Sequence, residues 1–464
     1  MHLQNSHNAQ SPKMGTEPLG RLLLQQSLPA MLGMAVLSLY NVVDAVFVGH
    51  GVGLSGLAGI TLVFPLQIFL GAVALALGVG AASLISRSLG AEDILTARQA
   101  LGTALGGGVS LGVFLLLLGR LYAEPLLHLF GASPDIFPQA LAYFQIILWG
   151  APPLGIAMAG VYVLRGEGRP LGAMGILLLM GGLNLLLDPL FIFVYSLGLP
   201  GVAWATVISQ AGAALAALIL LQRGSLTMTF PLLIPRLSLL RDMGGVALSS
   251  FLRSASGSFL VVLLNQTLLY HGGNDYVAVA GVLLRLSSLG ITPVLGIAQG
   301  MQPILGYNYG ARLYPRARGI IWLAFGGATF FCLLFLIGVL LFPRQIFWLF
   351  SPEAFLLEKA VEASRIIYLG HLFVGFQVVG TTVFQALGKG FAASVLSLGR
   401  QLLFFLPLLL FFPRFWGMTG IWGIFPAVDL LSTLLTAALL YRYRYLLPGG
   451  IWEASGKGKN NGSV

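Results

Sequence analysis

Long apolar runs with almost no charge in them limit what this chain can fold into. Met174 to Phe193 contains no basic residue, and Leu402 to Phe412 contains no charged residue at all. A stretch of about 20 apolar residues is what a helix needs to cross the hydrocarbon core of a bilayer. Backbone groups in lipid must be satisfied within the segment, so such runs are read as membrane-spanning helices. Of the 464 residues, 57% are apolar and 9% are charged. A soluble chain carries about 25% charged residues, so this one cannot cover a water-facing globule. A soluble enzyme and a nucleic-acid binder are excluded on that ground. A disulfide-built secreted domain is excluded by the single cysteine, Cys332.

Apolar blocks between charged or proline-rich breaks number twelve, at roughly 24–49, 57–86, 97–119, 137–163, 170–195, 199–222, 243–270, 277–305, 317–341, 360–386, 391–413 and 418–441. Seventeen of the 25 basic residues fall in the N-terminal segment, the even-numbered loops and the tail, among them Arg87, Arg98, Arg165, Arg169, Arg223, Arg236, Arg241, Arg312, Arg316, Arg318 and Lys389. Only Arg120, Arg344, Lys359 and Arg414 fall on the opposite side, and Arg253, Arg285, Arg365 and Arg400 lie in or beside spans. This bias is the positive-inside pattern, which predicts both termini in the cytoplasm and a multi-pass protein of the cell (inner) membrane. The net charge of +10 is thus a topology signal and not a nucleic-acid site. The first twenty residues are polar, so no cleavable signal peptide is expected. The tail Trp452 to Val464 has the composition of a disordered end. No GxxxxGK[ST] loop is present for direct use of ATP.

Shifting the chain by about 220 residues brings several segments into register. His50-Gly51 falls on His271-Gly272, Leu57-Ala-Gly-Ile60 on Val279-Ala-Gly-Val282, Leu89-Gly-Ala91 on Tyr309-Gly-Ala311, and Ala97-Arg98 on Ala317-Arg318. Val202 to Arg223 likewise runs parallel to Ile421 to Arg442. Six spans per half make the repeat a parallel one, with a cleft between two lobes near the midplane. The expected fold is an all-α integral membrane protein of twelve helices in two pseudo-symmetric six-helix lobes. Its expected divisions are a cytoplasmic segment 1–23, an N-lobe 24–222, a cytoplasmic loop 223–242, a C-lobe 243–445 and a cytoplasmic tail 446–464. Glycine pairs such as Gly102 with Gly106 and Gly296 with Gly300 provide faces for close helix contact. Pro65 and Pro293 are expected to bend spans 2 and 8.

Three of the fifteen acids, Asp44, Asp188 and Asp429, lie well inside spans. A carboxylate there is costly and is expected to face the protein interior with a function. At ~1.5 Å per residue, Asp44, Asp188 and Thr206 share one layer below the external surface. Tyr40 and Asn184 each precede an acid by four residues and share its helix face. Two adjacent buried carboxyls cannot both ionise cheaply, so this oxygen-rich layer suits a proton, or a Na+ ion held by Asp44, Asn184, Asp188 and Thr206. The competing reading is structural: Asp188 serves backbone groups freed by Pro189, and Asp44 bonds a neighbouring helix. Asp429, Arg400 and Arg253 lie near mid-depth and are candidates for a structural charge pair. His371 is expected to be packed and hydrogen-bonded.

Tyr40-Asn-Val-Val-Asp-Ala-Val-Phe-Val-Gly49, Gly56-Leu-Ala-Gly-Ile60 and Ser86-Arg-Ser-Leu-Gly-Ala91 resemble the first-half motifs of the multidrug and toxic compound extrusion (MATE) family. Leu183-Asn-Leu-Leu-Leu-Asp-Pro-Leu-Phe-Ile192 resembles its helix 5 motif, and Gly296-Ile-Ala-Gln-Gly-Met-Gln-Pro-Ile-Leu-Gly-Tyr-Asn-Tyr-Gly-Ala311 its helix 8 to 9 motif. The resemblance runs from about residue 20 to 445. It implies a secondary antiporter working by alternating access, which exports cationic or amphipathic organic compounds (drugs, toxins) in exchange for H+ or Na+. It also implies no cofactor, a monomer, organic cations as ligands, and a cation site at Tyr40, Asp44, Asn184, Asp188 and Thr206. A second family branch carries acids in helices 7 and 10, where this chain has Ser256 and Gln377. The alternative is a lipid-linked oligosaccharide flippase of the same superfamily, although interior acids suit cationic cargo better. No HExxH, paired catalytic histidines or Ser/Lys constellation supports a membrane enzyme. The 86–98 loop also lacks the GxxxDRxGRR-like signature of major-facilitator transporters.

Overall fold

A computed structural model describes residues 11–224, 226, 234–350 and 353–448. Among them the secondary structure is helical, with no strand. The first half comprises α1 (Leu19–Gly51), α2 (Leu54–Gly90), α3 (Ile94–Leu121), α4 (Phe137–Gly166), α5 (Pro170–Val194) and α6 (Gly198–Gln222). The run Leu237–Gly310 is interrupted at Gly273 (φ 77°, ψ −172°), which divides it into α7 (237–272) and α8 (274–310). After α9 (Tyr314–Leu341) and α10 (Ala354–Ala386), the run Gly390–Arg442 is interrupted at Gly417 (φ 54°, ψ −134°) to give α11 (390–416) and α12 (418–442). Twelve helices result, each near its expected span. The ends differ where a helix runs beyond its apolar block: α7 starts at Leu237, inside the segment expected to be loop, and α10 starts at Ala354. Pro65 and Pro293 lie within helices that continue through them, and the backbone leaves helical geometry at Gly273 and Gly417. The tail from Trp452 onward lies outside the described residues.

The repeat is visible in the backbone itself. Left-handed residues recur 220 positions apart, at Gly53 and Gly273, Glu92 and Arg312, and Gly168 and Gly388. Gly198 and Gly417 form a fourth such pair, one residue closer. The 3₁₀ turn Leu148–Gly150 in α4 recurs as Tyr368–Gly370 in α10, and the short helix Ala123–Leu129 recurs as Pro343–Trp348. A positive φ costs any residue with a Cβ, so these joints record a shared backbone template more directly than the faint sequence matches do.

Each lobe buries two apolar clusters along its length. One at each lobe's terminus-bearing end centres on Ala104, Val163 and Ile176 or on Ile304, Ile321 and Val383. The other centres on Leu127, Phe144 and Val202 or on Leu283, Phe347 and Ile421. Leu117, Leu186, Phe330 and Leu403 stay more than half exposed, as lipid-facing side chains would be. Cys332 is fully buried in the C-lobe, within α9.

The lobes meet tightly at the end that carries both termini. A Cβ on Gly90 would overlap the Tyr307 carbonyl, and one on Gly310 would overlap the Arg87 carbonyl. Residues 87 and 90 match 307 and 310 in the repeat, so the two contacts are symmetry mates astride one axis. Gly296 and Gly300 of α8 pack against Met31 and Ser27 of α1, so this pair of small residues joins the two lobes. Ser83 Oγ donates to the Gln385 carbonyl across the same seam. The N-terminal segment is tied here as well, with Arg316 Nη2 donating to the Glu17 carbonyl (2.6 Å) and Asn308 Nδ2 to the Met14 carbonyl (2.9 Å).

Candidate functional site

Two polar constellations lie inside the bundle, one within the N-lobe and one between the lobes. The first joins α1, α5 and α6. Asn184 Nδ2 donates to Asp188 Oδ1 (3.3 Å) and reaches Thr206 Oγ1 (3.5 Å). The carboxyls of Asp44 and Asp188 are within hydrogen-bonding reach of each other. The side chain of Tyr40 lies outside the described residues. Four of the five expected residues thus converge. Asn184 and Asp188 are almost fully buried, at 2% and 1% exposure.

Three buried oxygens of this cluster, Asp44 Oδ1, Asp188 Oδ2 and Asn184 Oδ1, have no hydrogen-bond partner among the described residues. Orphaned acceptors of this kind are expensive in an apolar surround. Three oxygens left open at one point are a feature to expect of a site that fills with a proton or a small hard cation.

The second constellation is a cleft between the lobes. Its polar lining includes Arg253, Arg400 and the glutamines 299, 302, 377, 385 and 401, with Tyr162 contributed by α4. Val79, Ile291, Leu295 and Val378 supply apolar wall. Gln302 Nε2 donates to the Val79 carbonyl across the seam (3.4 Å), and Gln385 Nε2 donates to Ser249 and Ser250 Oγ within the C-lobe (3.1 and 3.2 Å).

Of the three charge-pair candidates, Arg400 and Asp429 are joined: Nη2 and Nε of Arg400 both donate to Asp429 Oδ1, at 2.9 and 3.3 Å. Arg253 stands apart from Asp429, its buried Nε without a partner among the described residues. His371 is buried against Phe335 and Tyr368, with ring centroids 4.4 and 6.1 Å away. Ser256 contacts Gln401, and Gln377 lines the cavity.

A family model described as MatE matches residues 29–190 and again 246–409, one segment in each half. The chain belongs to the MatE family. Among relatives of this MATE protein, the multidrug export protein MepA of Staphylococcus aureus (strain MRSA252) is 26% identical over 91% of this chain and 94% of its own. The structure of the MATE multidrug transporter DinF-BH, solved as a complex, superposes with a TM-score of 0.86 at 35% identity, covering 96% of this chain and 99% of that one. A crystal structure of MATE in complex with MaL6 gives 0.89 at 27% identity, covering 95% and 99%. The twelve-helix, two-lobe architecture and a role in multidrug efflux follow for this MATE protein.

Some features of the MATE interior were not anticipated. Sequence reasoning concentrated on acids, yet the cavity lining contains no acid: Asp44 and Asp188 sit in the N-lobe cluster, and Asp429 is bound to Arg400. The signal was available as glutamines inside apolar spans, at 299, 302, 377, 385 and 401. Glu167 is a second omission. It lies in the α4–α5 loop at 1% exposure, 3.3 Å from Arg169, and burial pushes its carboxyl up to about 7.

Proposed function

We propose that this protein is a secondary antiporter that exports cationic or amphipathic organic compounds in exchange for H+ or Na+ by alternating access. The coupling site is the N-lobe cluster of Tyr40, Asp44, Asn184, Asp188 and Thr206. The carrying observation is the convergence there of three unpartnered buried oxygens from two helices. With both carboxyls in contact, one proton shared between them relieves their repulsion. The alternative occupant, Na+, takes the same oxygens as ligands. Either occupant changes the charge between α1 and α5, and so the relative cost of exposing or closing this layer.

In this reading both termini are cytoplasmic, the protein acts as a monomer in the cell membrane, and the lobes are 24–222 and 243–445. The sealed seam at Gly90 and Gly310 is then the cytoplasmic gate in its closed position. The cleft faces outward, the state in which cargo leaves and the coupling ion enters. The test is dye efflux from vesicles under separately imposed proton and sodium gradients. Asp44→Asn and Asp188→Asn are each expected to lower gradient-driven efflux at least about a hundredfold while leaving the protein folded. Unchanged efflux in both would remove the coupling role from these residues.

A further inference from the structure

We infer that the cavity between the lobes holds an anionic group of the transported compound on Arg253, so that amphipathic carboxylates are among its preferred cargo. The inference rests on the transport reading above and specifies what the cleft recognises. It starts from the charges around the cavity. Two arginines line it and no carboxylate does. One carboxylate stands behind the wall, Asp429, and Arg400 takes it with two nitrogens on the same oxygen. Nothing remains for Arg253, which makes no ion pair among the described residues and leaves its Nε without an acceptor. A third arginine, Arg165, is buried beside the cavity. It too meets no acid among the described residues, bonding instead to the neutral Gln299 and stacking over Tyr162 at 5.2 Å. Three guanidiniums and one carboxylate leave the inner seam positive.

A charged side chain inside a bilayer span is expensive unless paired, so an unpaired one facing a cavity marks the position of a missing partner. Guanidinium suits a carboxylate, because its planar fork matches the two oxygens and the charged hydrogen bonds are stronger than neutral ones. The remaining walls fit the rest of such a molecule. Glutamine amides offer donors and acceptors without fixed charge, while Ile291, Leu295 and Val378 offer apolar surface. A chloride or hydroxide ion would satisfy the charge but leave the apolar wall unused.

The experiment uses the purified full-length protein and two probes that share one ring system, 1-pyrenebutyrate and its neutral amide, with affinity read by equilibrium dialysis. The wild type should bind the acid at least about tenfold more tightly than the amide. In Arg253→Gln that ratio should fall to about one, and in Arg253→Lys, which keeps the charge but loses the fork, it should be intermediate. Equal binding of acid and amide by the wild type overturns the inference, as does a preference for the acid that survives in Arg253→Gln. The wild-type and Arg253→Lys ratios decide the question even if the glutamine variant does not fold. Gradient-driven export of the same probes and of a cationic dye from proteoliposomes separates the two readings. No export of any of them, with the binding preference intact, removes the transport reading and keeps this one. Export of the dye with no preference for the acid does the reverse.

Discussion

The two lobes share one helical template and carry opposite chemistry. A shift of 220 residues takes Asp44, Asn184 and Asp188 onto Leu264, Phe404 and Leu408, and the matching shift in the last helix takes Thr206 onto Phe425. All four C-lobe residues belong to or pack against one apolar cluster. Run backwards, the shift takes Arg253 and Gln377 onto Gly33 and Ala157, and Arg400 onto Met180. The polar interior of one half is thus built where the other half is apolar. Symmetry supplies the frame and the seam where the halves meet, and departures from symmetry supply the two polar constellations. Even the shared position behind the 3₁₀ turn diverges: Gly150 faces Gln210 and Gly370 faces Asp429, so only the C-lobe gained a charge to hold an arginine.

The comparison can be broken first at the seam, where the lobes are truly equivalent. Gly90→Leu places its side chain against the Tyr307–Ala311 backbone, and Gly310→Leu places its own against the two-fold-related Arg87–Ala91 backbone. Each should therefore block closure of this end and lower efflux by about a hundredfold, to the same extent, with the protein still inserted. A large effect from one glycine alone would mean that the seam is not a symmetric gate.

A smaller effect is expected where the halves differ in the α4–α5 and α10–α11 loops. Glu167 matches Leu387, and both are buried. Burial raises the Glu167 carboxyl from 4.5 to about 7, so the protonated form favours the fold. Its contribution is fully present below about pH 4.5 and is lost as pH rises through about 7. Glu167→Gln stays neutral throughout, so its stability should fall less than the wild type's between pH 5 and 8. At pH 8 it should be ahead by up to about 3 kcal/mol, reduced by the lost Arg169 bridge. Thermal unfolding across that range reads the difference, and parallel curves would return Glu167 to the same neutral role as Leu387.

The smallest effect concerns the caps of α3 and α9. Asp93 accepts a hydrogen bond from the Thr96 amide (3.0 Å), and its bonds to the Thr96 side chain and amide hold its carboxyl below the usual range, while the matching Leu313 has no side-chain cap. Asp93→Ala should cost about 1 kcal/mol, and Leu313→Asp should restore part of that to the C-lobe. Unfolding midpoints of the two variants and their combination check this.

Much of this asymmetry is legible before any coordinates. Apolar block lengths place all twelve helices, because lipid leaves the backbone no other solution, and charge-free segments expose their few acids to counting. Helical rise puts Asp44, Asp188 and Thr206 in one layer, and the structure links them through Asn184. Pairing is less legible. Depth alone left Asp429 with two arginines to choose between, and the choice of Arg400 over Arg253 is made by helix rotation, which spacing from the span ends does not report. The breaks are hidden for a related reason: Gly273 and Gly417 are two of 61 glycines, and only backbone angles distinguish them from packing residues.

The burial of Cys332 has a practical consequence. As the chain's single cysteine, packed in the C-lobe core, it leaves the folded protein with no thiol for a water-borne reagent to reach. Any cysteine introduced at the seam or in the cavity wall would then be the sole reactive handle on an otherwise native sequence. Labelling rates at that position, in the presence and absence of an ion gradient, would follow the opening of each side without first engineering a thiol-free background.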